Sequence, residues 1–169
     1  MSTVTTPAVY VGTYHKYNCG SIAGAWLDLT EFDSSEEFYE RCRELHANEA
    51  DPEFMFQDWE GFPADMASEG HIKWEFIDGF KQASEEGREA AFLAFVELFS
   101  STDYDQFDNA YMGEAKDEET YAQEYLDISG LLNGIPDCVA RYFDLEAYAR
   151  DLFMGEFRFY DGHVFNMTF

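Results

Sequence analysis

Thirty-five Asp and Glu side chains against ten Lys and Arg give the chain a formal net charge of −25, and every stretch of the sequence shares it. Residues 1–61 carry 12 acids and 3 bases, residues 62–102 carry 8 and 3, and residues 103–169 carry 15 and 4. An acidic tail would concentrate its charge and lack aromatics; here 46% of the residues are hydrophobic and 18% aromatic, interleaved with the acids. A folded acidic protein follows, long enough at 169 residues to bury a real core as one ordinary domain or a few small ones. A field of this sign repels phosphates, so direct nucleic-acid binding without a metal is strongly disfavoured, and so is attachment to anionic lipid.

The remaining bounds are mostly negative. No apolar run approaches the roughly 20 residues of a membrane helix. The opening Met1 to Pro7 has neither the basic nor the apolar region of a signal peptide. Cys19, Cys42 and Cys138 are odd in number and outside any C-x-x-C, which predicts three free thiols in a reducing compartment and a cytoplasmic location. Without a secretion signal, the sequon at Asn166, Met167 and Thr168 reads as chance.

The patterning predicts an α+β chain of three small domains. In residues 1–61, Ala8–Tyr14 and Ile22–Leu27 read as strands around a polar turn at Asn18–Gly20, and Phe54–Trp59 as a third. Asp33, Ser34, Ser35 and Glu36 form a capping box that opens a helix to about Ala47, with Phe38, Cys42 and Leu45 on one face. Residues 62–102 read as all-helical, a central bundle in which Gly79 and Gly87 weaken or end the helices. Residues 103–169 mix classes. Ala110–Met112 reads as a short strand, Glu118–Ile128 as a helix, Pro136 as the first turn of another, and Leu145–Phe153 as helical. Phe157–Tyr160 and His163–Phe165, joined by Asp161-Gly162, give the strongest hairpin signal in the chain.

Motifs for enzymatic chemistry are scarce. Asp103, Asp105 and Glu114 occupy positions 1, 3 and 12 of an EF-hand loop, but Phe107 and Asp108 stand where an oxygen ligand and the turn glycine belong. The four His show no zinc spacing, and neither G-x-G-x-x-G, G-K-[ST] nor G-x-S-x-G occurs. Thirty-five acids guarantee some close carboxylate pairs, so such pairs say little about glycoside hydrolysis. No metal, cofactor or catalytic residue is expected.

Charge density points elsewhere. A compact chain of this size is roughly 40 Å across. B-DNA carries one phosphate charge per about 1.7 Å, hence about 24 over that length, close to the −25 of the chain. Carboxylates at similar spacing would satisfy the Lys and Arg of a DNA-binding cleft. The plain alternatives are solubility and adaptation to high salt.

Specific residues sharpen the choice. Tyr10-Val-Gly-Thr-Tyr-His-Lys-Tyr-Asn18, Gly20-Ser-Ile-Ala-Gly24 and Trp26-Leu-Asp28 resemble the opening of ArdA antirestriction proteins. Glu37-Phe-Tyr39, Asp51-Pro-Glu53 and Met55-Phe-Gln-Asp58 continue the likeness. Leu131 to Asp144, running on through Glu146 to Phe153, is similar to the family's antirestriction motif, with Asp137 and Leu145 where Glu and an aromatic are more frequent. The likeness spans nearly the whole chain and is weakest over residues 63–116.

The resemblance implies an inhibitor of type I restriction-modification enzymes carried by conjugative plasmids or transposons. It implies an elongated homodimer that mimics duplex DNA and occupies the DNA site of the methyltransferase core. The carboxylates expected to meet that partner are Asp28, Glu31, Asp33, Glu36, Glu37, Glu40, Glu44, Asp51, Glu53, Asp58 and Glu60 in the first segment. In the third they are Asp103, Asp105, Asp108, Glu114, Asp117, Glu118, Glu119, Glu124 and Asp127. Leu131, Leu132, Ile135, Pro136, Val139, Tyr142, Phe143 and Asp144 are expected to form the motif and dimer interface, and their apolar members read equally as core. A general acidic module directed at another DNA-binding protein and, further off, a metal-assisted hydrolase are the other classes.

Overall fold

The computed structural model describes residues 3–63 and 65–169, so Met1 and Ser2, part of the stretch read for a leader, and Ala64 lie outside the described residues. The chain divides into two compact units, the first ending at Glu97 and the second beginning at Leu98. Both mix helices with small antiparallel sheets, so the chain is α+β. Among the described residues no helix is long and apolar enough to cross a membrane.

The first unit is built on a three-stranded antiparallel sheet. Strand β1 (Ala8–Thr13) lies between β2 (Ala25–Asp28) and β3 (Phe54–Glu60). Val9, Val11, Leu27 and Phe56 are buried, and a register shift between Tyr10 and Val11 marks a bulge. The expected strand does not run on through Tyr14. Thr13 ends it and starts a short helix, α1 (Tyr14–Asn18), by accepting a hydrogen bond from the Lys16 N–H at 3.2 Å.

A polar network holds that turn. The buried Thr13 hydroxyl donates to Glu49 at 2.7 Å, and this bond, with Lys16 3.6 Å away, holds the Glu49 carboxyl below its usual range. Buried His46 lies 3.1 Å from the Val11 carbonyl through Nε2 and 2.6 Å from Lys16 Nζ through Nδ1. A carbonyl only accepts and an ammonium only donates, so His46 carries its proton on Nε2.

Helix α2 (Ser35–Leu45) begins one residue later than expected. Ser34 is the N-cap, accepting from the Glu37 N–H at 3.3 Å, while Glu37 accepts from the Asp33 N–H at 2.9 Å. Both registers satisfy the capping pattern, since Asp33 and Ser34 each have Glu three residues on. The later start still buries Phe38 and Cys42 together. Burial pushes the Cys42 thiol up to about 12.

The stretch expected to be all-helical opens instead with a two-residue ladder, β4 (Ala67–Ser68) against β5 (His71–Ile72), too short for a periodic signal. Helices α3 (Trp74–Glu85) and α4 (Glu89–Phe99) follow. Trp74 stacks on Phe38 at 5.7 Å, Phe62 packs on Phe76, and Lys81 donates to the Phe32 carbonyl at 2.8 Å, so α3 shares its core with the first sheet and α2. Gly79 does not end α3. It lies mid-helix where a Cβ would overlap the ring of Phe92 on α4, so its smallness permits the helices to approach. Gly87, at φ +68°, does follow the end of α3.

In the second unit Asp103 caps α5 (Tyr104–Ala110), which leads into β6 (Tyr111–Glu114) where a strand was expected one residue earlier. Helix α6 (Glu118–Ser129) is capped by Asp117 and closed by Gly130 in the left-handed region. A one-turn helix α7 (Asp137–Ala140) follows Pro136, which stands at the N-cap rather than inside the first turn. Helix α8 (Leu145–Gly155) and the hairpin β7 (Phe157–Tyr160) and β8 (His163–Asn166) complete it. Asp161 and Gly162 both have positive φ, at 47° and 83°, the pattern of a two-residue type I′ turn, and Tyr160 pairs with His163 across it. The sheet order is β6-β8-β7, and Ala122, Ala149, Leu152, Phe153, Phe157 and Val164 form the core under it.

Candidate partner-binding surface

Of the twenty carboxylates expected to meet a partner, eighteen are exposed. The two half-buried ones, Asp28 and Asp117, cap local structure. Asp28 accepts from the Thr30 N–H at 2.9 Å and hydroxyl at 2.6 Å; Asp117 accepts from the Thr120 N–H at 2.7 Å. That last bond holds the Asp117 carboxyl below its usual range, and backbone and serine donors do the same for Glu36. Glu44 lies 3.4 Å from Arg41. With ten Lys and Arg for thirty-five acids, at most ten carboxylates can be neutralised one to one.

Rigid elements order several of these acids. Glu36, Glu40 and Glu44 recur every fourth residue along exposed α2, one charge per about 6 Å of helix axis. In the first sheet, Ala8 pairs with both Asp28 and Glu60, and Tyr10 with Asp58, so three carboxylates share one sheet face, with Tyr10 and Trp26 in edge contact among them. On α6, Glu119 and Asp127 flank Gln123, which donates to Asp127 at 2.9 Å. No single row reaches the duplex density of one charge per about 1.7 Å, so phosphate-like density requires several elements side by side.

Other expected acids do not converge on a single centre. Asp103, Asp105 and Asp108 sit at or on α5 and Glu114 on β6, so the stretch read against an EF-hand loop is largely helix, and Asp103 is occupied with the Gln106 N–H at 3.1 Å. Among the described residues no group of three or more His, Cys, Asp or Glu could hold a metal ion.

The motif segment is placed at the surface. Leu131, Ile135, Val139 and Tyr142 are exposed, Tyr142 by 80%, while Leu132 and Phe143 are half-buried, Phe143 packing on Tyr148 at 5.5 Å. Pro136 is exposed, and Asp144 caps α8 through the Ala147 N–H at 2.9 Å. The core reading is therefore wrong for the four exposed side chains, because the segment consists of turns and one short helix that turn them to solvent.

Two features escaped the sequence reading. Ile128, 88% exposed, and Met154, 75% exposed, add to the solvent-facing apolar surface of this unit; each falls late in a helix whose apolar face is otherwise buried, which is the signal that could have marked them. The polar face of α3 also presents exposed Glu75, Asp78 and Glu85, left out of the expected set although their i, i+3, i+10 spacing opposes buried Phe76, Ile77 and Phe80.

A search of curated proteins finds no match. A family model described as antirestriction protein ArdA matches residues 9–166, both units included, and the chain accordingly belongs to the ArdA antirestriction protein family.

Proposed function

We propose that this protein blocks type I restriction-modification enzymes by binding, in place of DNA, at the cationic site of their methyltransferase core, and so protects incoming mobile DNA. It acts without turnover or cofactor. The observation that carries the reading is the exposure of eighteen carboxylates on a scaffold with too few cations to neutralise them. Fourteen of the eighteen are held on helices or strands, so their oxygens meet Lys and Arg without the entropy cost of ordering a flexible acidic chain.

The same reading makes the protein a homodimer through the segment 131–144, whose exposed Leu131, Ile135, Val139 and Tyr142 would leave water on association. Three functional parts, 1–61, 62–102 and 103–169, divide the work, with self-association in the last. The site of action is the cytoplasm, where restriction enzymes meet entering DNA.

A gel shift of a purified type I methyltransferase on its DNA, titrated with this protein, tests the reading. Free DNA should appear in proportion to inhibitor up to a fixed stoichiometry. Persistence of the shifted complex at large excess refutes it, and equal displacement of unrelated DNA-binding proteins would make this a general acidic module instead.

A further inference from the structure

Between α6, α8 and β7 lies an open groove of about 960 Å³, at the upper end of the ~300–1,000 Å³ usual for ligand sites. Its floor is apolar. Leu145 and Ala149 from α8 and Phe159 from β7 line it, resting on the core of the second unit. Its rim is acidic, with Asp117, Glu118, Glu119 and Glu124 on one side and Glu146 on the other. Arg150 is the one cation among the described lining residues.

Charge and shape together select the occupant. Three acids stand at the start of α6 and oppose its positive end, which disfavours an anion. A bare cation would leave the apolar floor wet. A segment with apolar side chains along one face and Lys or Arg beside them satisfies both surfaces at once, in the manner of a helix laid in a groove.

Building on the inhibitor reading above, we propose that this groove docks a basic amphipathic helix of the target enzyme, with Arg150 meeting an acid of that helix and setting its register. DNA has no counterpart to the apolar floor. The contact therefore gives the inhibitor a source of affinity that salt does not screen and that the displaced duplex lacks.

The test uses the full chain and two peptides of about 18 residues with the same Leu and Lys content. One has Leu at helical i, i+3, i+4, i+7 spacing and the other is shuffled. By calorimetry the patterned peptide should bind at least about tenfold more tightly, with a negative heat-capacity change. Gln123→Trp places bulk on an exposed groove wall and should abolish the preference. The exposed pair Glu119→Lys and Glu146→Lys should weaken both peptides.

Equal affinity for the two peptides, or a preference that Gln123→Trp leaves intact, overturns the groove. DNA displacement by the unaltered protein alongside equal peptide affinities overturns the groove alone. An intact preference without any displacement of DNA from the methyltransferase supports the groove while the target reading falls.

Discussion

The two units carry the same sign of charge but spend their apolar residues differently. In the first, Phe38, Phe56, Phe76, Phe92 and Phe95 are fully buried, and sheet, α2 and α3 close on one aromatic core. In the second, a core of Ala122, Phe153, Phe157 and Val164 is accompanied by a run from Ile128 to Tyr142 that leaves Ile128, Leu131, Ile135, Val139 and Tyr142 in water. Fully burying one such side chain is worth about 1.5–3 kcal/mol, which the second unit forgoes at each of these positions and which the proposed self-association would recover. The first unit presents charge on a rigid frame; the second combines charge with a run of exposed apolar side chains.

Core truncation should separate the units most sharply. Phe92→Ala, which removes a ring stacked on Phe76 at 6.0 Å, should cost about 3–5 kcal/mol in urea unfolding. A loss within the range of surface substitutions would mean that the aromatic core is loosely packed. Gly79→Ala is a finer probe. Alanine favours the helix by about 1 kcal/mol, yet its methyl meets the buried Phe92 ring, so a net loss of about 1–3 kcal/mol is expected. A net gain would show that α3 and α4 can separate without penalty.

In the second unit the expectation reverses. Changing Leu131, Val139 and Tyr142 together to Ser should alter the stability of the fold by no more than about 0.5 kcal/mol per site, while the proposed homodimer shifts toward monomer in sedimentation. A large loss of stability with unchanged association would return these side chains to the core.

A smaller effect concerns His163, buried in β8 with Nδ1 3.2 Å from the Tyr111 hydroxyl. Burial lowers its pKa against the opposing pull of Glu114 and Asp161. The unfolded chain therefore takes up the proton first as pH falls through about 6.5, so the stability present above that pH is lost below it. Relative to His163→Gln, the parent protein should weaken between about pH 7.5 and 5.5; parallel curves would show that burial does not govern this histidine. Smallest of all, single exposed carboxylates such as Glu40 or Asp58 should each change partner affinity by about 0–1 kcal/mol when made Gln or Asn. Abolition of binding by one of them would point to a discrete anchor.

Where two signals coincided in the sequence, the structure was readable from it. The Asp161-Gly162 turn lies between alternating aromatic runs, and its register follows from the turn type. The buried face of α2 could be read although its start could not, because Asp33 and Ser34 offer equivalent caps and packing of Phe38 and Cys42 tolerates either. Helix α1 went unseen because Thr13 is a good strand residue until its hydroxyl caps Lys16. Gly79 looked like a helix breaker because the ring that needs its missing Cβ lies thirteen residues away on another helix. The candidate surface divides the same way. A count of acids against bases makes exposed carboxylates unavoidable, but apolar residues at 131–142 have the same identities whether buried or not, and only their placement in turns decides.

If carboxylates replace phosphates in the enzyme's DNA site as proposed, the dissociation constant of this protein for a type I methyltransferase must depend on salt. Between about 50 and 500 mM salt the complex should weaken by at least about tenfold, as many screened ion pairs are lost together. A dissociation constant unchanged across that range would show that the acids are bystanders.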